Sequence, residues 1–96
     1  MAFVVVASMK TLEGKGADFE AAFAGLTPIV RATEPGVLYY QLTKSRTEAN
    51  LYKVVEAYAD KAAFDLHCAS EAFLTAWPGI VACLDGPPTA EMLDAV

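Results

Sequence analysis

The chain has little with which to hold a metal, a nucleic acid or a membrane. It contains a single histidine, and its two cysteines, Cys68 and Cys83, stand far apart with no C-x-x-C, so the spacing of a zinc site is absent and both are read as reduced core thiols. Seven Lys and Arg against twelve Asp and Glu leave a net charge of −5. The basic residues do not cluster, which removes the electrostatic footprint that nucleic acid or anionic lipid would need. The longest purely apolar run, Ala2 to Ala7, is far short of the roughly 20 residues of a membrane helix. With no basic leader or small-residue cleavage site around it, the expected location is cytoplasmic. Gly14-Lys15-Gly16 lacks both the further spacing and the Lys-Ser/Thr ending of a phosphate loop, no serine lies in G-x-S-x-G, and Ser70 is explained as a helix cap. No internal repeat, low-complexity stretch or linker divides residues 1–96, so a single domain is expected.

What is present is apolar. Hydrophobic residues make up 55% of the 96, and the mean hydropathy is +0.35. A domain this small has too much surface to hide so many apolar side chains, so the composition implies an oligomer. Phe3 to Met9 is apolar on both parities, as in a strand covered on both faces. Phe19, Ala22, Phe23, Leu26, Ile29 and Val30 follow at helical spacing, with Pro28 expected to kink or shorten that helix. Glu34-Pro35-Gly36 turns the chain, the glycine permitting a positive φ. Val37 to Lys44 then reads as a strand with Leu38, Tyr40 and Leu42 on one face, joined by the polar hairpin Ser45 to Asn50 to a third strand. Asp60 suits the N-cap of a helix through Cys68, and Ser70 that of one through Trp77, which Pro78-Gly79 is expected to interrupt. Thr89 to Ala95 makes a last strand. The order β-α-β-β-α-β predicts a ferredoxin-like α+β sandwich. Helices cover one face of a single four-stranded sheet, so the other is expected to meet a second subunit through Tyr39, Leu51, Val55 and Ala57.

Within the third strand, Tyr52, Val54, Glu56 and Tyr58 share a face at period 2. A carboxylate among aromatic and apolar neighbours needs a partner. His67, carried back over that face by the following helix, is the partner the sequence suggests, and an acid meeting an imidazole in an aromatic pocket points to proton transfer.

Glu34-Pro35-Gly36 with Tyr40 four residues past the glycine, then Val54 to Asp60, then Ala63 to Phe73, resembles the antibiotic biosynthesis monooxygenase superfamily. The resemblance extends over nearly the whole chain, with its specific part in Glu34 to Phe73. It implies a dimeric α+β barrel. Its best-known members oxidise quinols or anthrones with dioxygen and no metal, flavin or haem, and others act on different small carbonyl compounds, including a quorum-signal isomerase. The haem-degrading branch relies on an Asn in the first strand, a Trp near the end of the third and a His on the next helix. Here Val4 to Ser8 contain no Asn and Tyr58 stands where the Trp would be, leaving only His67 in agreement.

On this resemblance, His67 is expected as the base, with Glu56 orienting its ring. Tyr40, Tyr52, Tyr58, Phe73 and Trp77 are expected to line a slot for a flat ring. Arg31, from its place on the first helix, is read as a solvated charge, with contact to an anionic substrate as the alternative. The expected partners are a small aromatic or oxygenated molecule and a second copy of the chain, with no cofactor, no nucleic acid and no membrane. Three functions stay open: a cofactor-independent monooxygenase of quinol-like or polycyclic aromatics, an isomerase of a small oxygenated metabolite, and a non-catalytic small-ligand-binding dimer.

Overall fold

The computed structural model describes residues 1–96. Its elements are β1 (Phe3–Lys10), α1 (Gly16–Thr33), β2 (Val37–Lys44), β3 (Leu51–Tyr58), α2 (Lys61–Cys68), α3 (Glu71–Val81) and β4 (Thr89–Asp94). The four strands form one antiparallel sheet in the order β2-β3-β1-β4. This is the ferredoxin-like α+β arrangement, and no helix is long and apolar enough to cross a membrane.

Alternation decides which side of the sheet is covered. Val5, Ala7 and Met9 of β1 are buried, as are Tyr52, Val54, Glu56 and Tyr58 of β3, and this inner face carries the helices. Phe19, Phe23, Leu26 and Val30 bring α1 down onto it, while Ile29, read as part of the same stripe, is 47% exposed. On the outer face Tyr39 is 53% exposed and Leu93 41%, with no element laid over them.

Three local expectations are corrected. Both helices run through their prolines, Pro28 in α1 and Pro78 in α3. Each proline is exposed, as are Ala24 and Leu74 four residues before, so water can reach the carbonyls that lose their donors. In β2 the register shifts between Val37 and Tyr39. That bulge turns Leu38 outward, 60% exposed, and lets Val37 pack on the core beside Tyr40 and Leu42. Gly36 does not have the positive φ expected of it; only Gly14 and Gly86 among the glycines do. It is needed for closeness, since a Cβ there would lie 2.6 Å from Ala63 Cβ. The turn after α1 therefore presses directly on α2.

Helix starts follow their caps. Asp60 Oδ1 accepts from Ala63 N at 2.9 Å, and Ser70 Oγ accepts from Phe73 N at 3.2 Å. These two caps fix where α2 and α3 begin, and α3 packs mainly against α1.

Candidate active site

Asp60 starts α2 so that its last turn hangs over the inner face of the sheet, and His67 lies in that turn, 2% exposed. Its ring is enclosed by others: Tyr40 at 5.1 Å, Phe73 at 5.1 Å and Tyr58 at 5.7 Å between centroids. Phe73 in turn stacks on Trp77 at 5.2 Å, with the planes 27° apart. Tyr40, Phe73 and Trp77 of this group bound a cavity of about 160 Å³ between the sheet and helices α2 and α3. His67, Glu56, Tyr40, Phe73 and Trp77 all line it, and Pro88 to Ala90 close the side toward β4.

The carboxylate on His67 is Glu34. His67 Nδ1 lies 2.8 Å from Glu34 Oε1. Sequence reasoning assigned that place to Glu56, which instead accepts a hydrogen bond from the Tyr58 hydroxyl. Two physical facts account for the exchange. The residue before a proline is driven out of helical geometry, and Glu34 accordingly caps α1 in an extended conformation (φ −115°, ψ 92°). The Gly36–Ala63 approach then holds that turn against α2, one helical turn before His67. Glu34 and His67 are far apart in the chain, and no spacing rule connects them. The usable signal is Glu34-Pro35-Gly36 itself, which the sequence presents as a turn and as part of the family resemblance, with no role for Glu34 at the site.

A carboxylate is an acceptor, so the imidazole keeps its proton on Nδ1 and leaves Nε2 with a lone pair. Nε2 has no partner in the protein, and it is not among the fully buried unpartnered atoms, which are Thr11 Oγ1 and Glu34 Oε2. It therefore opens on the cavity. The same reasoning applies to Glu56, whose Oε1 is taken by Tyr58 and whose Oε2 is neither paired nor sealed.

Burial disfavours the charged form of Glu56 and outweighs the Tyr58 hydrogen bond that favours it, pushing its pKa from 4.5 up to about 7. Burial, followed by the charge of Glu56, pushes the Tyr40 and Tyr58 hydroxyls far above their usual value. Both remain protonated donors at any ordinary pH. Cys68, also on the cavity wall, is raised chiefly by burial, which keeps it a thiol.

The other expected site residues divide. Tyr40, Phe73 and Trp77 face the cavity, whereas Tyr58 stands behind its wall and reaches it only through Glu56. Tyr52 does not belong to it. Its ring packs on Phe19 at 4.8 Å and its hydroxyl donates to Glu20 at 2.5 Å, toward the start of α1. Met9, Phe23 and Phe64 line the cavity without having been singled out, because apolar core periodicity does not distinguish a packed position from one beside a void. Arg31 is not simply solvated: Nη2 donates to Tyr40 O at 2.7 Å and Gln41 Oε1 at 2.8 Å, covering the open edge of β2. No group of three or more His, Cys, Asp or Glu side chains converges into a ligand set.

Among known proteins, a family model described as antibiotic biosynthesis monooxygenase matches residues 2–77. A candidate antibiotic biosynthesis monooxygenase from Caulobacter crescentus is similar in structure at TM-score 0.96 and 42% identity, covering 99% of this chain and 90% of the other. A protein from Shewanella oneidensis is similar at TM-score 0.87 and 34% identity, over 96% and 88% of the two chains. A cofactor-independent oxygenase from Streptomyces nogalater shares the fold at TM-score 0.83 and 22% identity, over 98% and 92%. No curated protein matches.

Proposed function

The chain belongs to the antibiotic biosynthesis monooxygenase family, and from that premise we propose that it oxidises a small quinol-like aromatic with dioxygen, without a cofactor, as a homodimer packed through the outer face of its sheet. The observation that carries the reading is the imidazole of His67, held by Glu34 at Nδ1 with Nε2 open to an aromatic-walled cavity.

Triplet dioxygen reacts poorly with closed-shell organics, so the substrate must become the electron donor. A phenol with pKa near 10 holds about a thousandth of its anion at neutral pH. His67 Nε2 takes the phenolic proton, a contribution of about 10² to 10⁴ in rate for a positioned base, and Glu34 stabilises the imidazolium that forms. The hydroquinone anion gives one electron to dioxygen, and superoxide and the semiquinone then join through a new carbon–oxygen bond. The ring carbon that took the oxygen loses its hydrogen as a proton while the oxygen–oxygen bond breaks, and Glu56, near half-protonated at neutrality, can protonate the departing oxygen. One oxygen atom stays on the ring and the other leaves as water, so hydroquinone and O₂ give hydroxybenzoquinone and H₂O. The apolar walls exclude bulk water from the radical pair.

Two proton carriers on one cavity also suit an isomerase that moves a proton between carbons without dioxygen. Oxygen uptake with a panel of hydroquinones separates the two. Consumption of one O₂ per substrate, with one labelled oxygen atom in the product, is expected for the monooxygenase. Proton exchange into substrate with no uptake would replace it by the isomerase, and ligand-induced stabilisation with neither would reduce the protein to a binding module.

A further inference from the structure

The cavity has a size and a charge that select among aromatics, and the inference that follows rests on the reading of it as the substrate site. Its volume is about 160 Å³. An apolar cavity of about 150 Å³ is filled by one benzene ring. A second fused ring exceeds this volume, so it must either project through the open side of the pocket or displace its wall, and that wall is the stacked pair Phe73 and Trp77 on α3, which faces His67.

Charge is excluded as firmly as bulk. None of the lining residues is Lys or Arg, and the only ionisable side chains that bring charge to the lining are His67 and the carboxyl of Glu56, with Glu34 directly behind the imidazole. The Tyr40 hydroxyl and the Cys68 thiol are both held protonated by burial and offer no positive charge. Arg31 is committed to the β2 edge through Tyr40 O and Gln41 Oε1. A carboxylate, sulfonate or phosphate on the ligand would enter a largely apolar space beside the carboxyl of Glu56, with its hydration lost and no lysine or arginine to replace it. A phenolic hydroxyl meets the opposite situation, since Nε2 of His67 accepts its proton and Glu56 offers a second polar contact.

We infer that the site takes uncharged, single-ring phenols and hydroquinones, and that Trp77 with Phe73 sets the one-ring limit. The polycyclic aromatics that the family relationship leaves open are then outside its range.

Binding tests this apart from turnover. Trp77 is the only tryptophan in the chain and stands on the cavity wall, so its emission reports occupancy directly. Phenol, hydroquinone, 2-naphthol and 4-hydroxybenzoate are titrated anaerobically into the full chain up to about 1 mM, the upper end of common KM values, with calorimetry in parallel. Phenol and hydroquinone are expected to bind, 2-naphthol and 4-hydroxybenzoate at least about tenfold more weakly, a difference of about 1.4 kcal/mol. By calorimetry, Trp77→Ala is expected to reverse the preference between 2-naphthol and phenol while still rejecting 4-hydroxybenzoate. If that variant does not fold, Phe73→Leu, which removes less, is expected to move the ratio in the same direction. Equal binding of phenol and 2-naphthol by the unaltered protein would overturn the size limit. Binding of 4-hydroxybenzoate within threefold of phenol would overturn the charge limit, and failure of all four to bind would overturn both. If the single rings bind and no oxygen is consumed, the monooxygenase reading fails while the selectivity stands.

Discussion

Glu56 gives the fold a pH dependence whose sign and size follow from its burial. The residue is 7% exposed, and its pKa moves from 4.5 to about 7 because desolvation exceeds the help of the Tyr58 hydroxyl. Below the lower value both folded and unfolded chains hold the proton, and the full stability is present. Between the two values the folded protein keeps a proton that the unfolded chain has released, so stability falls as pH rises and stops falling once the folded carboxyl has ionised. Each pH unit in that window is worth about 1.4 kcal/mol, which makes the whole effect about 3 kcal/mol. That is a large share of the roughly 5 to 15 kcal/mol that holds a domain together. Other carboxyls titrate in the same range, so the informative quantity is a difference between wild type and Glu56→Gln, which has nearly the same shape and no charge. Urea unfolding at fixed protomer concentration, at about pH 4 and about pH 8, is expected to show wild type losing about 3 kcal/mol more than the variant across that interval. Parallel losses, agreeing within about 0.5 kcal/mol, would refute the argument that burial holds this proton on Glu56.

Glu34→Gln keeps the side chain's size but removes the charge that fixes the His67 tautomer, and turnover of a bound hydroquinone is expected to fall about 10 to 100-fold with KM little changed, as steady-state kinetics would show. Tyr58→Phe removes the donor that favours ionised Glu56, so the Glu56 pKa is expected to rise further above about 7. Infrared titration of the carboxyl band reads this, and a fall would mean that the hydroxyl was not stabilising the anion. Val55→Asp sets a charge on the uncovered face of β3 and is expected to convert a dimer burying about 800 Å² per subunit into monomers by light scattering. A monomer in the unaltered protein at micromolar concentration would remove the basis of that expectation.

Element order, the two helix caps and the buried face of β3 were legible because each depends on residues adjacent or at fixed spacing in the chain. Asp60, Ser70 and the alternation of Tyr52, Val54, Glu56 and Tyr58 are such cases. Legibility ends where two distant segments meet. The partner of His67 was assigned to Glu56 because both face the same side of the sheet, yet the helix end at Glu34 arrives first, brought there by a proline and a glycine whose effect is a close contact with Ala63. Tyr52 shares a strand face with Glu56, but the face is long enough for its two ends to belong to different surroundings, one against Phe19 and Glu20, the other beside the cavity. The bulge at Leu38 was hidden because hydrophobic residues occupy both parities of β2, so the pattern is equally satisfied before and after the slip. Pro28 and Pro78 misled for the opposite reason. The cost of an internal proline depends on whether water reaches the freed carbonyl, which exposure decides and sequence does not.

The central claim is that His67 is the base that makes the substrate oxidisable, and oxygen-electrode measurement of hydroquinone turnover by wild type and His67→Ala tests it most directly. The account predicts uptake of one O₂ per hydroquinone by wild type and a loss of about 10² or more in the variant, with circular dichroism and oligomeric state unchanged. Retention of full uptake by a folded His67→Ala protein would contradict it, and would transfer the role of base to Glu56, the other proton acceptor on the cavity.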